Sequence, residues 1–238
     1  MSLQNQRVLI VGGTSGIGLA VAAAVAERGA TPIVVSRAQS SVDRALALLP
    51  AGAHGATVDL TDMAAVEQLA EDIGSVDHLV YTAGEPLEAV PLTGLTPAVI
   101  SSFYQTRFIG ACSTVRMFAP RLPATGSITL TSGSASEQPE FGALPVSLCG
   151  AMNALTTALA VELAPVRVNA VAPGVVRSPL WRNLDGADRE AMFSMTAEQI
   201  PLGRIGEVDD AAQAYLYCIE QKFSTGAVIK VDGGSVLV

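Results

Sequence analysis

A doubly wound α/β sheet is the fold class this sequence predicts, and three observations predict it. Short runs rich in β-branched residues alternate with longer Ala/Leu-rich segments along the whole chain, the pattern of strand–helix repeats. The short runs are almost continuously apolar rather than alternating, as parallel strands covered on both faces are. A glycine-rich turn, VGGTSGIG (11–18), joins the first run to the first Ala-rich segment. With 238 residues, one undivided domain is expected, since α/β folds of this length bury a single core.

The strands are expected at RVLIV (7–11), PIVVS (32–36), ATVDL (56–60), DHLVYT (77–82), SITLTS (127–132), RVNAVA (167–172) and AVIKVD (227–232). Between them, 16–28, 42–49, 62–73, 96–121, 145–164 and 207–221 read as helices. The segment 178–204 breaks the alternation and carries the only tryptophan, Trp181, with Met192, Phe193 and Met195. It directly follows a strand end, where α/β sheets bind ligands. It is therefore expected to be a substrate lid, the alternative being a helical hairpin packed on the core.

Composition narrows the function classes. The net charge of −8 argues against a nucleic-acid partner, which needs a positive surface field. Half the residues are hydrophobic, yet TTALAVELAPV carries Glu162 and Pro165 and VLIVGG is cut by glycines. No membrane span is expected. The start, MSLQNQRVLIVGG, lacks a signal-peptide core and cleavage site. Cys112, Cys149 and Cys218 are odd in number and form no CxxC pair. That suits a reducing, cytoplasmic setting and predicts neither a disulfide framework nor a metal site. His54 and His78 are read as ordinary surface or strand-end residues.

The glycine turn carries the first chemistry. Gly12, Gly16 and Gly18 permit a tight turn, close approach to a pyrophosphate and close helix–strand packing. Thr14, Ser15 and Ile17 lie between them, at the start of a helix whose free N–H groups and dipole attract an anion. The GxxxGxG spacing differs from the common GxGxxG, but it follows a strand and opens a helix. The second strand ends VVSRAQSS, with no acidic residue between Thr31 and Val42. An NAD site usually wants a carboxylate there. Arg37, with Ser36, Ser40 and Ser41 nearby, suits a 2′-phosphate instead. NADP(H) is therefore expected over NAD(H).

These motifs resemble those of the short-chain dehydrogenase/reductase family over almost the full length. VGGTSGIG (11–18) is similar to its TGxxxGIG turn. Asp59, beside Leu60 in VDL, stands where the family contacts adenine. YTAG (81–84), closing on Ala83 and Gly84, is similar to NNAG, with Tyr81 and Thr82 in place of both asparagines. RVNAVAPGVVRSP (167–179) resembles the segment lining the nicotinamide, which places Pro173, Gly174, Val176 and Ser178 at the cofactor. GAVIKVDGG (226–234) resembles the terminal strand motif. The resemblance implies a Rossmann-like sheet of seven parallel strands in a single domain, and a small-molecule substrate. It also implies a homodimer or homotetramer built partly through the helices at 96–121 and 145–164.

The family's chemistry rests on Asn, Ser, Tyr and Lys. Here the serine falls on Ser132, the tyrosine on Pro145, the lysine on Cys149 and the asparagine on Arg107. A shifted register cannot restore the pair, because no tyrosine or lysine lies between residues 105 and 214. Proline has no proton to give, and its fixed φ suits the first turn of a helix. Arg107 is a poor acid but can clamp or polarise an oxyanion. Glu137 and Glu140, in SASEQPEFG, are candidate acids if desolvated, or else solvated. Two readings stay open. One is an NADP(H)-dependent oxidoreductase using Ser132 and Arg107 on a carbonyl- or alcohol-type substrate. The other is an NADP(H)-binding pseudoenzyme, or a non-redox isomerase- or cyclase-like member of the same fold.

Overall fold

The computed structural model describes residues 3–86 and 90–238. Seven parallel strands form one sheet in the order β3-β2-β1-β4-β5-β6-β9. They are β1 Arg7–Val11, β2 Thr31–Ser36, β3 His54–Thr57, β4 His78–Tyr81, β5 Ser127–Thr131, β6 Arg167–Pro173 and β9 Val228–Val231. A separate pair, β7 Val176–Arg177 and β8 Gly206–Glu207, ties the two ends of the 178–204 segment together. The chain order reverses direction between β1 and β4, and this switch point places a ligand crevice beyond the strands' carboxyl ends.

The helices are α1 Gly16–Glu27, α2 Gln39–Leu46, α3 Met63–Ile73, α4 Pro97–Tyr104, α5 Gly110–Phe118, α6 Ala143–Glu162, α7 Gly186–Gln199 and α8 Val208–Glu220. One face of the sheet packs α1 and α8, with Val21, Val25, Tyr215 and Leu216 against Ile10 and Val34. The other packs α3, α5 and α6, with Leu69, Phe118 and Met152 among Leu9, Leu79 and Ile128. The strands are buried on both faces, as their unbroken apolar runs require.

Several boundaries differ from expectation. The third strand ends at Thr57, not 60, because Ser36 pairs with Thr57 at the end of β2. Beyond it, Asp59 accepts from Thr61 N (2.9 Å) and Thr61 Oγ1 (2.7 Å) and turns the chain. The helix expected at 96–121 is broken by a π-helical stretch, Gln105–Ile109, and ends in a 3₁₀ turn at Ala119–Arg121. Helix α6 starts at Ala143, and its first i→i−4 bond runs from Val146 N to Gly142 O. Pro145 thus sits where no N–H is needed. By length and composition α6 is apolar enough to cross a membrane, with mean hydropathy 1.5, a composition that core helices of globular folds share. Leu144, Leu148, Met152 and Ala160 form its buried face.

His78 is a strand-end residue, the first of β4, and it is buried. It is 4% exposed, with Nδ1 2.7 Å from Ser127 Oγ and Nε2 3.1 Å from Gln6 Oε1. Burial pushes its imidazole down to about 4, with Asp77 opposing and Arg167 adding. Unfolded, the same ring titrates near about 6.5. Between those values the unfolded chain takes up a proton that the folded chain refuses, so stability falls as pH drops from about 6.5 towards about 4. The expected total is about 3 kcal/mol. Urea midpoints measured across this window should fall steeply in the parent and less steeply in His78→Gln.

Candidate cofactor and active site

A cavity of about 1270 Å³ opens beyond the carboxyl ends of β1, β2, β4, β5 and β6. Its floor at β1 is the glycine turn. Gly12 has φ +87°, and a Cβ there would lie 2.6 Å from Ala83 N, so only glycine fits. A Cβ on Gly18 would meet Gly12 O at 2.3 Å, which fixes how closely α1 packs on β1. Ser15 caps α1 without a side-chain bond, and no acidic residue sits in its first turn. Helix α1 therefore points unsatisfied N–H groups and a positive dipole end at the cavity, which suits a pyrophosphate.

Every residue assigned to the cofactor from sequence lines this cavity except Ser40. Helix α2 begins at Gln39 rather than 42, which leaves Ser40 exposed in the first turn. Ser41 and Arg44, three residues apart on one helix face, line the cavity instead, with Arg44 Nη2 donating to Ser41 Oγ (3.0 Å). Arg37 Nη1 lies 4.0 Å from Glu85 Oε1, and its side chain is 72% exposed. Asp59 is held below the usual carboxylate range, chiefly by the Thr61 N–H and hydroxyl. Ser178 accepts from Leu180 N (3.4 Å) and begins the turn Pro179–Trp181, all three of whose residues line the cavity.

The other end of the cavity gathers Arg107, Ser132, Pro145 and Cys149. Arg107 projects from the π-helical stretch, a distortion often found at functional sites. Its guanidinium donates to Glu85 O and lies 5.1 Å from the Phe103 ring centroid. A Cβ on Gly84 would come within 3.2 Å of Arg107 Nε, so glycine lets the guanidinium lie against the backbone. Burial lowers its pKa while Glu85, Cys149 and Tyr81 oppose, and an arginine stays cationic throughout. Burial also pushes the Cys149 thiol up to about 11, against the pull of Arg107 and a bond from Ser132. Cys149 is thus a neutral thiol at neutral pH.

Ser132 Oγ donates to Asn153 Oδ1 (2.6 Å), with Cys149 O at 3.1 Å. Asn153, one turn beyond Cys149 on α6, was not legible as a site residue. Tyr215, in the cavity wall, was also missed, and Tyr81, noted in sequence only as a replacement within YTAG, lies in the same wall. Tyr81 OH donates to Thr106 O at 2.5 Å, a carbonyl in the π-helical stretch. The Glu137 and Glu140 carboxyls lie outside the cavity wall, and Glu137 pairs with Lys230 at 2.6 Å.

In the 178–204 segment, Trp181 Nε1 donates to Val176 O (3.0 Å). Phe193 packs with Val175, Ile200 and Ile205, and Trp181 and Met192 lie against that cluster. Met195 is exposed. The segment therefore offers the cavity its first turn and builds a small core of its own with α7.

The family model for an SDR-like Rossmann domain matches residues 1–238. The short-chain dehydrogenase/reductase malC of Malbranchea aurantiaca is 34% identical over 253 residues, covering 99% of this chain and 96% of that protein. Its solved structure, described as a reductase/Diels-Alderase, aligns with TM-score 0.91 at 31% identity, covering 99% of this chain and 98% of that one. An NADPH-bound short-chain oxidoreductase from Pseudomonas aeruginosa PAO1, described as containing an atypical catalytic center, aligns with TM-score 0.88 at 30% identity, covering 96% of each chain. Full-length matches of this kind, on a sheet of the expected strand order, place the chain in the short-chain dehydrogenase/reductase family, as an oxidoreductase fold that binds a nicotinamide cofactor.

Proposed function

We propose that the chain is an NADP(H)-dependent oxidoreductase that acts on a small conjugated or otherwise activated carbonyl-type substrate without the family's tyrosine–lysine pair. One observation carries this reading. A single cavity runs from the glycine turn and Arg37 to Arg107 and Ser132, so a cofactor and a substrate fit end to end. The cofactor would supply a hydride. Gly12, Thr14, Ser15, Gly16, Ile17 and Gly18 would hold its pyrophosphate, with Asp59 and Leu60 at the adenine. Ala83, Gly84, Pro173, Gly174, Val176 and Ser178 would line the rest. Arg107 places a fixed cation where negative charge develops on the substrate.

The preference for NADP(H) rests on Arg37, Ser36, Ser41 and Arg44, which gather two guanidinium groups and two hydroxyls at one end. A charge-assisted bond contributes roughly 1.5–3 kcal/mol, and 1.4 kcal/mol is about tenfold in affinity. Arg37→Asp should therefore weaken NADPH binding at least tenfold and leave NADH binding unchanged or tighter, read by cofactor fluorescence. Equal losses for both cofactors would refute the assignment.

The turn Pro179–Trp181 would act as the inner edge of a substrate lid, and the exposed outer face of α6, including Val161 at 79% exposure, would contribute to a dimer or tetramer contact. A non-redox reading is supported by the malC relative, whose structure is described as both a reductase and a Diels-Alderase. Tight NADPH binding with no consumption on any of a panel of aldehydes, ketones, quinones and imines would favour it.

A further inference from the structure

We propose that this cavity selects acceptors whose reduced form is a delocalised oxyanion, a phenolate or enolate, and that Arg107 is the group that holds it. The proposal rests on the oxidoreductase reading and names its substrate class: quinones and similarly conjugated carbonyls.

The argument is an inventory of protons. Reducing an isolated ketone leaves an alkoxide about as basic as hydroxide, whose parent water has a pKa of about 15.7. Such an adduct needs an acid at the moment of reaction. At this end of the cavity the Tyr81, Thr131, Tyr215 and Ser132 hydroxyl protons are committed elsewhere, while Ser101, Ser102 and Thr106 offer only aliphatic hydroxyls, weak acids like the alcohol being formed. Tyr81 OH donates to Thr106 O at 2.5 Å. Thr131 Oγ1 donates to Tyr81 O (2.6 Å), so the Tyr215 hydroxyl, 2.6 Å away, donates to Thr131.

The Ser132 proton is fixed by a chain of three bonds. Ser136 Oγ donates to Gly133 O (3.2 Å), so it must accept from Asn153 Nδ2 (3.2 Å). That sets the Asn153 amide with Oδ1 towards Ser132, which donates to it at 2.6 Å. Ser132 thus turns a lone pair, not a proton, to the substrate. Pro145 has no donor, and Cys149, its sulfur packed against Gly133, is made a weaker acid than a free thiol by burial, which pushes it up to about 11.

Arg107 remains, with a permanent charge and several N–H groups. It stabilises an anion without giving up a proton. Among the described residues, the charged groups of the cavity wall are Arg37, Arg44, Arg107, Arg182, Asp59 and Glu85. Glu85 faces Arg37 and Asp59 is bonded to Thr61, so the wall favours an anion. A phenol ionises near about 10, several units below an alcohol, so its anion persists without an acid. In the reaction the acceptor gains two electrons and one hydrogen from reduced nicotinamide. A C–H bond would form at the far carbon of the conjugated system as the donor's C–H bond breaks, and the π electrons would shift to the conjugated oxygen as an enolate, which in a quinone becomes the phenolate once that ring carbon loses its proton to water. The nicotinamide is left oxidised, and water supplies the proton after release.

The test is spectroscopic. 4-Nitrophenol is titrated with the full chain, with and without NADP⁺, and its phenolate absorbance gives the apparent pKa of the bound phenol. The expected result is a pKa lowered by about one unit or more, the effect of an adjacent cation. That shift should be lost in Arg107→Met and partly retained in Arg107→Lys. A bound phenol with unchanged or raised pKa, a shift that survives Arg107→Met, or no binding at millimolar phenol overturns the proposal. NADPH consumption separates it from the reading beneath. Consumption with simple ketones as fast as with quinones removes the proposal and leaves the oxidoreductase. An Arg107-dependent phenolate site with no consumption on either leaves the oxyanion site and removes the oxidoreductase.

Discussion

Arg107→Met lowers kcat/KM for NADPH oxidation with a quinone acceptor by about 10²–10³-fold, the loss that follows removal of one oxyanion-stabilising donor. The effect falls on kcat more than on KM, because the guanidinium meets full negative charge only as the acceptor is reduced. NADPH affinity stays close to that of the parent, since the groove residues around Arg37 are untouched. Ser132→Ala, by contrast, costs less than about tenfold. Its proton already goes to Asn153 Oδ1, and removing it takes away an acceptor rather than an acid. A larger loss in Ser132→Ala than in Arg107→Met would reverse these roles. Initial rates followed by NADPH absorbance decide between them.

Arg167→Met destabilises the fold by about 3 kcal/mol. Arg167 is 8% exposed and donates to Cys218 O (2.7 Å) and Ile219 O (2.8 Å) in the last turn of α8. Those carbonyls have no intrahelical partners, and a cation at a helix C-terminus also meets the negative end of its dipole. No carboxylate pairs with Arg167 among the described residues, and burial lowers its pKa. Its charge is satisfied by α8 itself. Methionine of similar length fills the space and leaves two buried acceptors unmet. For a domain of this size the expected fall in Tm is roughly 6–12 °C, measured by thermal melting, with NADPH affinity retained in the folded protein. A fall of less than about 2 °C would show that water replaces the guanidinium at no cost.

The sheet was legible because its signals are local. Apolar runs, glycine at φ +87° in Gly12 and the absence of acids after β2 are written in single short stretches. The misreadings share a cause in long-range contact. Thr57 ends β3 because Ser36 does, although Val58 continues the apolar pattern. The π-helical stretch at Gln105–Ile109 leaves no mark in residue spacing. Its Thr106 carbonyl finds Tyr81, 25 residues earlier. Between the two roles left open for Glu137, a desolvated acid or a solvated carboxylate, sequence could not choose, because its partner Lys230 lies 93 residues further on. Asn153 was hidden in an ordinary helix, and the signal that could have found it is its position one turn after Cys149 on the face that meets Ser132. That His78, a strand-end residue, is buried was not legible because only the sheet register brings it to Ser127.

The pH dependence of single-turnover NADPH oxidation by a quinone tests the account most directly. A reaction that needs no acid from the protein should show a kcat/KM that is flat between about pH 6 and pH 9, because Arg107 keeps its charge and the Cys149 thiol its proton throughout. The whole profile should drop by about 10²-fold, without changing shape, in Arg107→Met. A profile that falls with a single ionisation inside that range, and does so equally in Arg107→Met, would reveal a side-chain acid and contradict the account.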